Sequence, residues 1–164
     1  MKELLVKYAA YNVWANAQLL ETILQLPVED QSREIKSSFK SLYKTVLHLW
    51  DAEAMWWQRM KLEERIIRPS ENFSGGMKEA GEGLLQQSRQ WQTWIAHTQE
   101  HNLHHEFIYQ NTKKEHFKQE VCIILLHVFN HGSYHRGQLV NMLRQLGQEN
   151  IPQTDFVHWS RKKS

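Results

Sequence analysis

Cysteine is nearly absent from this sequence, which has a single one, Cys122, among 164 residues. An intramolecular disulfide is therefore excluded. Cys122 stands in the apolar run 121–126, where we expect it to be a small buried hydrophobic side chain. The residues Glu3, Lys7 and Asn12 interrupt the stretch that would form the apolar core of a secretory signal. Together these features predict a soluble protein of a reducing compartment, and we expect a cytoplasmic location.

Long apolar runs and an excess of charge of one sign are also lacking. No uninterrupted apolar run approaches the roughly 18 residues that a membrane-spanning helix needs. The chain has 20 Lys and Arg against 18 Asp and Glu, a formal net charge of +2. Nucleic-acid-binding domains usually have a pI above about 9, whereas the value here is about 8.7. The sequence therefore predicts neither a membrane nor a nucleic-acid partner.

Apolar residues recur at every third or fourth position in four long stretches, as in amphipathic helices. Three of these predicted helices cover residues 2–24, 78–98 and 119–146. The second helix is expected to begin with Ser37 or Ser38 as its cap, and its apolar stripe extends to Trp56. Together they predict an all-α, four-helix-bundle fold in one domain, residues 1–164.

Two shorter segments lie outside the four helices. Residues 105–109 alternate in polarity and precede a predicted turn at 111–114, which favours a short hairpin between helices three and four. Residues 154–160 are predicted to be extended, with two aromatic rings that cover an end of the bundle.

Several polar side chains need separate interpretation. Asn12 and Asn16 share one face of the first helix and are predicted to be solvated, since Asn is mostly exposed in proteins. Glu53 is exceptional because it lies in an otherwise apolar row. Four further histidines are predicted to be solvated, with no supporting carboxylate or cysteine: His101, His104, His105 and His116.

The most informative stretch places His127, His131 and His135 at steps of four on one helix face. Each step advances a helix by about 6 Å, whereas a metal bond to imidazole nitrogen is about 2.0–2.1 Å long. Only adjacent members can therefore hold one ion, and a further ligand must come from elsewhere, with His48 the candidate. Three neutral imidazoles would leave a position open for water or substrate. A row of histidines bonded to backbone and to each other is the other interpretation.

An ordered set of motifs resembles the DinB family. They are Tyr11-Asn12-Val-Trp14-Ala15-Asn16, Ser38-Phe39-Lys-Ser41-Leu42, His48-Leu-Trp-Asp51-Ala-Glu53 and Asn130-His131-Gly-Ser-Tyr134-His135-Arg136-Gly137-Gln138. The resemblance implies a four-helix bundle, commonly paired as a homodimer, with a nickel- or zinc-type ion. It also implies that His48, His131 and His135 are the ligands, and it leaves His127 outside the set. Relatives in the wider superfamily include transferases and isomerases that use bacillithiol, mycothiol or glutathione.

We therefore expect a metal-dependent S-transferase that joins a low-molecular-weight thiol to a small-molecule electrophile. Arg136 is a candidate anchor for an anionic cofactor group or a salt-bridge partner, while Asp51 and Tyr134 are candidates to orient the ligands. No catalytic side chain beyond the ligands is assigned. Two alternatives are a metal-assisted hydrolase, for which Glu53 and Asp51 are the candidate bases, and a non-enzymatic stress-response module that binds or senses metal.

Overall fold

The computed structural model describes residues 1–111 and 113–161, and its framework is a bundle of four long helices. The helices in chain order are α1 (Lys2–Leu24), α2 (Val28–Ser32), α3 (Leu42–Met60), α4 (Met77–His97), α5 (Glu100–Leu103), α6 (Val121–Gln145) and α7 (Phe156–Arg161). A short 3-10 helix spans Pro69–Asn72. The predicted all-α four-helix bundle is confirmed, formed by α1, α3, α4 and α6.

A two-stranded antiparallel sheet joins α5 to α6, as predicted. Strand β1 (Glu106–Gln110) pairs with β2 (His116–Glu120), with Glu106 opposite Glu120 and Gln110 opposite His116. Thr112 of the predicted turn lies outside the described residues, as do residues 162–164 of the predicted domain. Among the described helices, none combines the length and apolar character that a bilayer-crossing segment needs.

Helices α1 and α3 lie diagonally across the bundle, because each packs against both α4 and α6. The apolar core is divided into two clusters of buried side chains. One is centred on Leu19, Leu49 and Leu139, and the other on Leu5, Trp91 and Phe129. Buried polar side chains occur on the helices between these two clusters.

The predicted start of the second long helix is wrong. Helix α3 begins at Leu42, and the Ser41 side chain accepts the Lys44 N–H at 3.1 Å. Lys40 has a φ of 60°, a left-handed conformation that no helix can continue through. Ser37 and Ser38 therefore belong to the loop before the cap.

The prediction of an extended segment near the end of the chain is also wrong, because residues 156–161 form α7. Phe156 and Trp159 are three residues apart, a spacing that places both rings on one side of a helix. Both rings contact Tyr11, at centroid distances of 5.2 and 6.0 Å. Contact between these rings and the bundle was expected, and the helical spacing is what allows one α1 tyrosine to meet both.

Candidate metal centre

Three histidines from two neighbouring helices converge on one point. His48 lies on α3, and His131 and His135 lie one turn apart on α6. The Nε2 of His48 is 3.3 Å from that of His131 and 3.2 Å from that of His135, and the α6 pair is 3.1 Å apart. The structure therefore brings together the three residues singled out in the sequence, as a group that could hold a metal ion.

His127, the remaining member of the histidine row, lies outside this group. Its side chain is exposed, and its ring packs edge-on against Trp56 at a centroid distance of 5.3 Å. Its ring centroid is 5.9 Å from that of His131. Of the two pairs that helical spacing allowed, only His131 and His135 meet a histidine from another helix.

Two residues hold the ligand rings in place. Phe39 stacks on His48 with ring centroids 3.9 Å apart. His135 Nδ1 donates to Gln138 Oε1 at 2.9 Å, and Gln138 in turn donates to Ser38 Oγ at 3.3 Å. Because the proton of His135 is on Nδ1, its Nε2 presents a lone pair to the other two rings.

The electrostatic environment keeps these imidazoles neutral. Burial, together with the nearby His135 and His131 rings, lowers the pKa of His48 to about 4. Burial and the neighbouring His135 and His127 rings lower the pKa of His131 to about 4 as well. Burial also lowers the pKa of His135, and the hydrogen bond with Gln138 opposes that shift. Neutral imidazoles are the form that binds a metal ion.

The donor set fits a divalent transition ion. A tetrahedral ion with bonds of 2.0–2.1 Å holds its ligand nitrogens about 3.3 Å apart, and the three separations here are 3.1 to 3.3 Å. His135 has its proton on Nδ1, so its Nε2 can only accept a hydrogen bond. The three facing nitrogens therefore include at least one lone pair without an N–H of its own ring. A bound cation would satisfy all three lone pairs and leave one coordination position for an external ligand.

Two side chains expected to orient the ligands do not form the hydrogen bonds that this role requires. Asp51 accepts hydrogen bonds from the backbone and the hydroxyl of Ser70, in the 3-10 helix. Tyr134 is exposed, and its ring lies edge-on to that of His135 at 5.0 Å. Gln138, which sequence reasoning missed, supplies the hydrogen bond, and its position three residues after His135 was the available signal.

A cavity of about 560 Å³ adjoins the centre and includes His48 in its lining. Its walls come from Phe39, from the exposed side of α3 and from the 3-10 helix. Volumes of this order suit a small organic ligand. The centre therefore has space beside it for a molecule that could reach an ion bound by the three histidines.

A buried polar layer lies between the two apolar clusters, with members from all four bundle helices. Arg136 donates to Asn12 Oδ1 at 2.6 Å and to Asn16 Oδ1 at 2.9 Å, and Asn12 donates to Glu53 Oε1 at 2.9 Å. Ser88 donates to the same carboxylate at 2.8 Å. The prediction that Asn12 and Asn16 are solvated is wrong, since they are 1% and 2% exposed. An amide can accept from the guanidinium and donate to the carboxylate, so it can join two buried charges.

The charged side chains of this layer, Glu53 and Arg136, are buried and form their hydrogen bonds within it. Burial raises the pKa of Glu53 to about 7, against the hydrogen bonds from Asn12 and Ser88 and the charge of Arg136. Arg136 is 2% exposed, and burial lowers its pKa. A guanidinium enclosed in this way cannot anchor an external cofactor, nor can it form a surface salt bridge.

A second group of metal-ligating side chains occurs where the hairpin meets α6. His104 Nδ1 is 3.0 Å from Glu120 Oε2, and the thiol of Cys122 donates to the same oxygen at 3.4 Å. The expectation that this histidine has no supporting carboxylate or cysteine is therefore wrong, although it is exposed as predicted. The fold creates the group, because a Val121 N–H bond to the His105 carbonyl brings α5 against the start of α6. The buried position expected for Cys122 is confirmed.

Comparisons with known proteins agree with the fold and the motifs. A sequence model described as the DinB family matches residues 1–163. The Protein DinB of Bacillus subtilis (strain 168) is 30% identical over 165 residues, covering 95% of this chain and 93% of that protein.

Two solved structures share the fold. A DinB-like protein from Bacillus cereus ATCC 10987 superposes with a TM-score of 0.64 at 17% identity, covering 85% of this chain and 89% of the other. A protein of Exiguobacterium sibiricum 255-15 assigned to the DinB family gives 0.66 at 14% identity, with coverages of 94% and 97%. With the family match over nearly its whole length and the relative of 30% identity, this chain belongs to the DinB family.

Proposed function

We propose that His48, His131 and His135 bind one divalent transition-metal ion, nickel or zinc, and that the protein transfers a low-molecular-weight thiol to an electrophile. The observation that supports this most directly is the convergence of three neutral imidazole nitrogens, 3.1 to 3.3 Å apart, beside a cavity. Imidazole ligands suit both metals. A cytoplasmic location and a role in stress response belong to the same proposal and rest on composition and family resemblance.

Three protein ligands are typical of a catalytic metal site, because a structural zinc site normally has four. When bound, such an ion acts as a Lewis acid and stabilises the negative charge of a thiolate. An ion held by His48, His131 and His135 would lower the pKa of a bound thiol, so that the thiol proton would pass to solvent without a dedicated base. The thiolate sulfur forms a bond to the electrophilic carbon, and the leaving group departs with the electron pair of the broken bond.

The chain's own residues support this step by position. Phe39 holds the ring of His48 and Gln138 holds that of His135, and the cavity lined by His48 gives a small molecule access to the centre. Hydrolysis by an activated water has less support, because it needs a general base near the ion. Asp51 accepts a hydrogen bond from the Ser70 hydroxyl, and Glu53 is buried in the polar layer, so neither carboxylate is available as a general base.

The test is conjugation of a thiol to an activated halogenated aromatic such as chlorodinitrobenzene, with glutathione, bacillithiol and mycothiol supplied in turn. The metal-loaded protein should accelerate the reaction with at least one thiol, and the His131→Ala protein should not. His104→Ala removes a member of the second group and serves as the matched control, with activity retained. Failure of all three thiols with several electrophiles, while the metal stays bound, would favour a structural or sensing role.

We also propose that the protein is a homodimer. The motivation is the family resemblance. Tryptophan is enriched at interfaces, but several of the tryptophans here pack inside the chain and so give no support to a dimer. Trp91 is fully buried, and Trp57 and Trp94 pack against it. Light scattering at micromolar concentration should give twice the chain mass of 19.6 kDa. A particle of the single-chain mass would refute the dimer.

A further inference from the structure

The cavity beside His48 has more cationic than anionic side chains in its lining. Its charged members are Lys44, Asp51, Arg59 and Arg68. Asp51 is held by two hydrogen bonds from the 3-10 helix, and Arg68 pairs with Glu71 at 3.0 Å. Lys44 and Arg59 form no ion pair with a carboxylate anywhere in residues 1–111 and 113–161. The cavity therefore offers two cations that no internal carboxylate neutralises.

Arg59 is the better placed of these two cations to bind an anion. Its guanidinium lies over the ring of Trp56, 4.7 Å from the centroid, which fixes its plane. Its Nε is buried and has no hydrogen-bond partner among the described residues. Because this Nε has almost no accessible surface, a carboxylate in the cavity would meet the terminal nitrogens of the guanidinium, with which it can form charge-assisted hydrogen bonds. Lys44 is exposed, so water screens its charge.

The distance between Arg59 and the histidines defines the length of the ligand. The two residues Arg59 and His48 are eleven positions apart on α3, which is three turns and about 16 Å along the axis. Both side chains lean toward the N-terminus of α3, and the longer Arg59 side chain reaches further back than that of His48, which leaves roughly 10 Å between the guanidinium and the His48 ring. Met55 and Trp56 line the space between them with apolar surface.

We propose that the thiol used by this protein bears a carboxylate, that Arg59 binds this group, and that the sulfur and the carboxylate are separated by roughly 10 Å. This rests on the function proposed above, because it places the sulfur at the open coordination position. The part of the ligand between its two ends contacts Met55 and Trp56. Arg59 is thus a specificity-determining residue rather than a ligand of the ion.

The test uses the cobalt-substituted protein, whose visible spectrum reports a thiol at the metal. ω-Mercaptooctanoate spans the required distance, and ω-mercaptooctanol is its uncharged analogue. Wild-type protein should bind the carboxylate at least about tenfold more tightly than the alcohol, since a charge-assisted bond to arginine is made only by the first. Arg59→Gln should reduce that preference to about twofold or less. Arg68→Gln, which changes an arginine already paired with Glu71, should leave it unchanged.

A second comparison needs no variant. Mercaptopropionate is too short to reach Arg59 from the metal, so it should bind no more tightly than mercaptopropanol. Equal affinity of the two octyl thiols in the wild type, or a preference unchanged in a folded, cobalt-loaded Arg59→Gln protein, overturns the role of Arg59 and leaves the metal and thiol chemistry standing. A spectrum indifferent to every thiol while cobalt remains bound overturns the proposed function itself, and with it this ligand.

Discussion

Gln138 shows how a single side chain outside the ligand set determines the state of one ligand. Its Oε1 accepts a hydrogen bond from the Nδ1–H of His135, so the Nε2 of that ring is left free for an ion. Partners of this kind typically change metal affinity by tenfold to a hundredfold when they are removed. Sequence reasoning gave the orienting role to Asp51 and Tyr134, which are close to the ligands in the chain. The structure shows that Asp51 instead accepts a hydrogen bond from the backbone N–H of Ser70.

We therefore predict that Gln138→Ala weakens metal affinity by about tenfold to a hundredfold, without a change in helix content by circular dichroism. Tyr134→Phe is the matched control, because it removes the hydroxyl of a residue beside His135 and should leave the affinity unchanged. Competition with a chromogenic chelator measures both variants. Equal affinities for Gln138→Ala and the wild type would show that the hydrogen bond does not set the ligand's tautomer.

The ligand residues were predictable from the sequence to different degrees. A repeat of four residues identifies His131 together with a neighbour on the same helix, because helical spacing is a local property. It does not select between His127 and His135, and it does not place His48, which lies more than eighty residues earlier. His48 was a candidate from the sequence, and the family resemblance assigned it as the third ligand. The resemblance also implied that His48 joins His131 and His135, and the packing of α3 against α6 places these three rings together.

At the scale of elements, periodicity predicted three of the four long helices, α1, α4 and α6, within one or two residues, and it predicted the hairpin. Predictions of helix starts depended on capping, and there Ser41 was missed in favour of Ser37 or Ser38. All three serines are chemically suitable caps. The left-handed backbone of Lys40 decides between them, and this conformation is not readable from residue type.

We predict that Ser41→Ala lowers the free energy of unfolding by about 1 kcal/mol, the usual cost of removing an N-cap side chain. Ser41 is buried, and its hydroxyl accepts the Lys44 N–H. Ser37→Ala should change stability by less than about 0.5 kcal/mol, as is usual for a substitution outside such features. Urea denaturation of the two variants gives the comparison. A larger loss for Ser37→Ala than for Ser41→Ala would contradict the observed cap.

At the scale of the whole molecule, the buried polar layer connects the four bundle helices through side chains far apart in sequence. Asn12 and Glu53 are separated by 41 positions, and Asn12 and Arg136 by 124. Sequence reasoning considered each residue by its usual exposure, and Asn is usually exposed. Their burial could not be predicted locally, because each is satisfied only by partners on other helices. The position of Glu53 in an otherwise apolar row was the sequence feature that indicated a buried polar group.

The buried carboxyl makes stability depend on pH. Burial raises the pKa of Glu53 from its ordinary value of 4.5 to about 7 in the folded protein, so the folded state holds this proton over that interval while the unfolded state releases it. The stabilising contribution is complete below about pH 4.5 and is lost as the pH rises to about 7. The loss is on the order of 3 kcal/mol.

We predict that the difference in unfolding free energy between the wild type and Glu53→Gln changes by about this amount, on the order of 3 kcal/mol, between pH 4.5 and 8. The comparison removes contributions from the histidines, which both proteins share. Urea denaturation across the pH range measures it, with Glu115→Gln, an exposed carboxyl, as the control. A difference that does not vary with pH would show that Glu53 titrates alike in the folded and unfolded states.

The central claim is that His48, His131 and His135 hold one metal ion, and elemental analysis of four alanine variants tests it most directly. The proteins are purified without chelator and without an immobilised nickel column, and circular dichroism confirms that each is folded. We predict that the wild type and His127→Ala retain the ion, whereas His48→Ala, His131→Ala and His135→Ala lose it. Loss of metal in His127→Ala together with retention in His135→Ala would contradict the account.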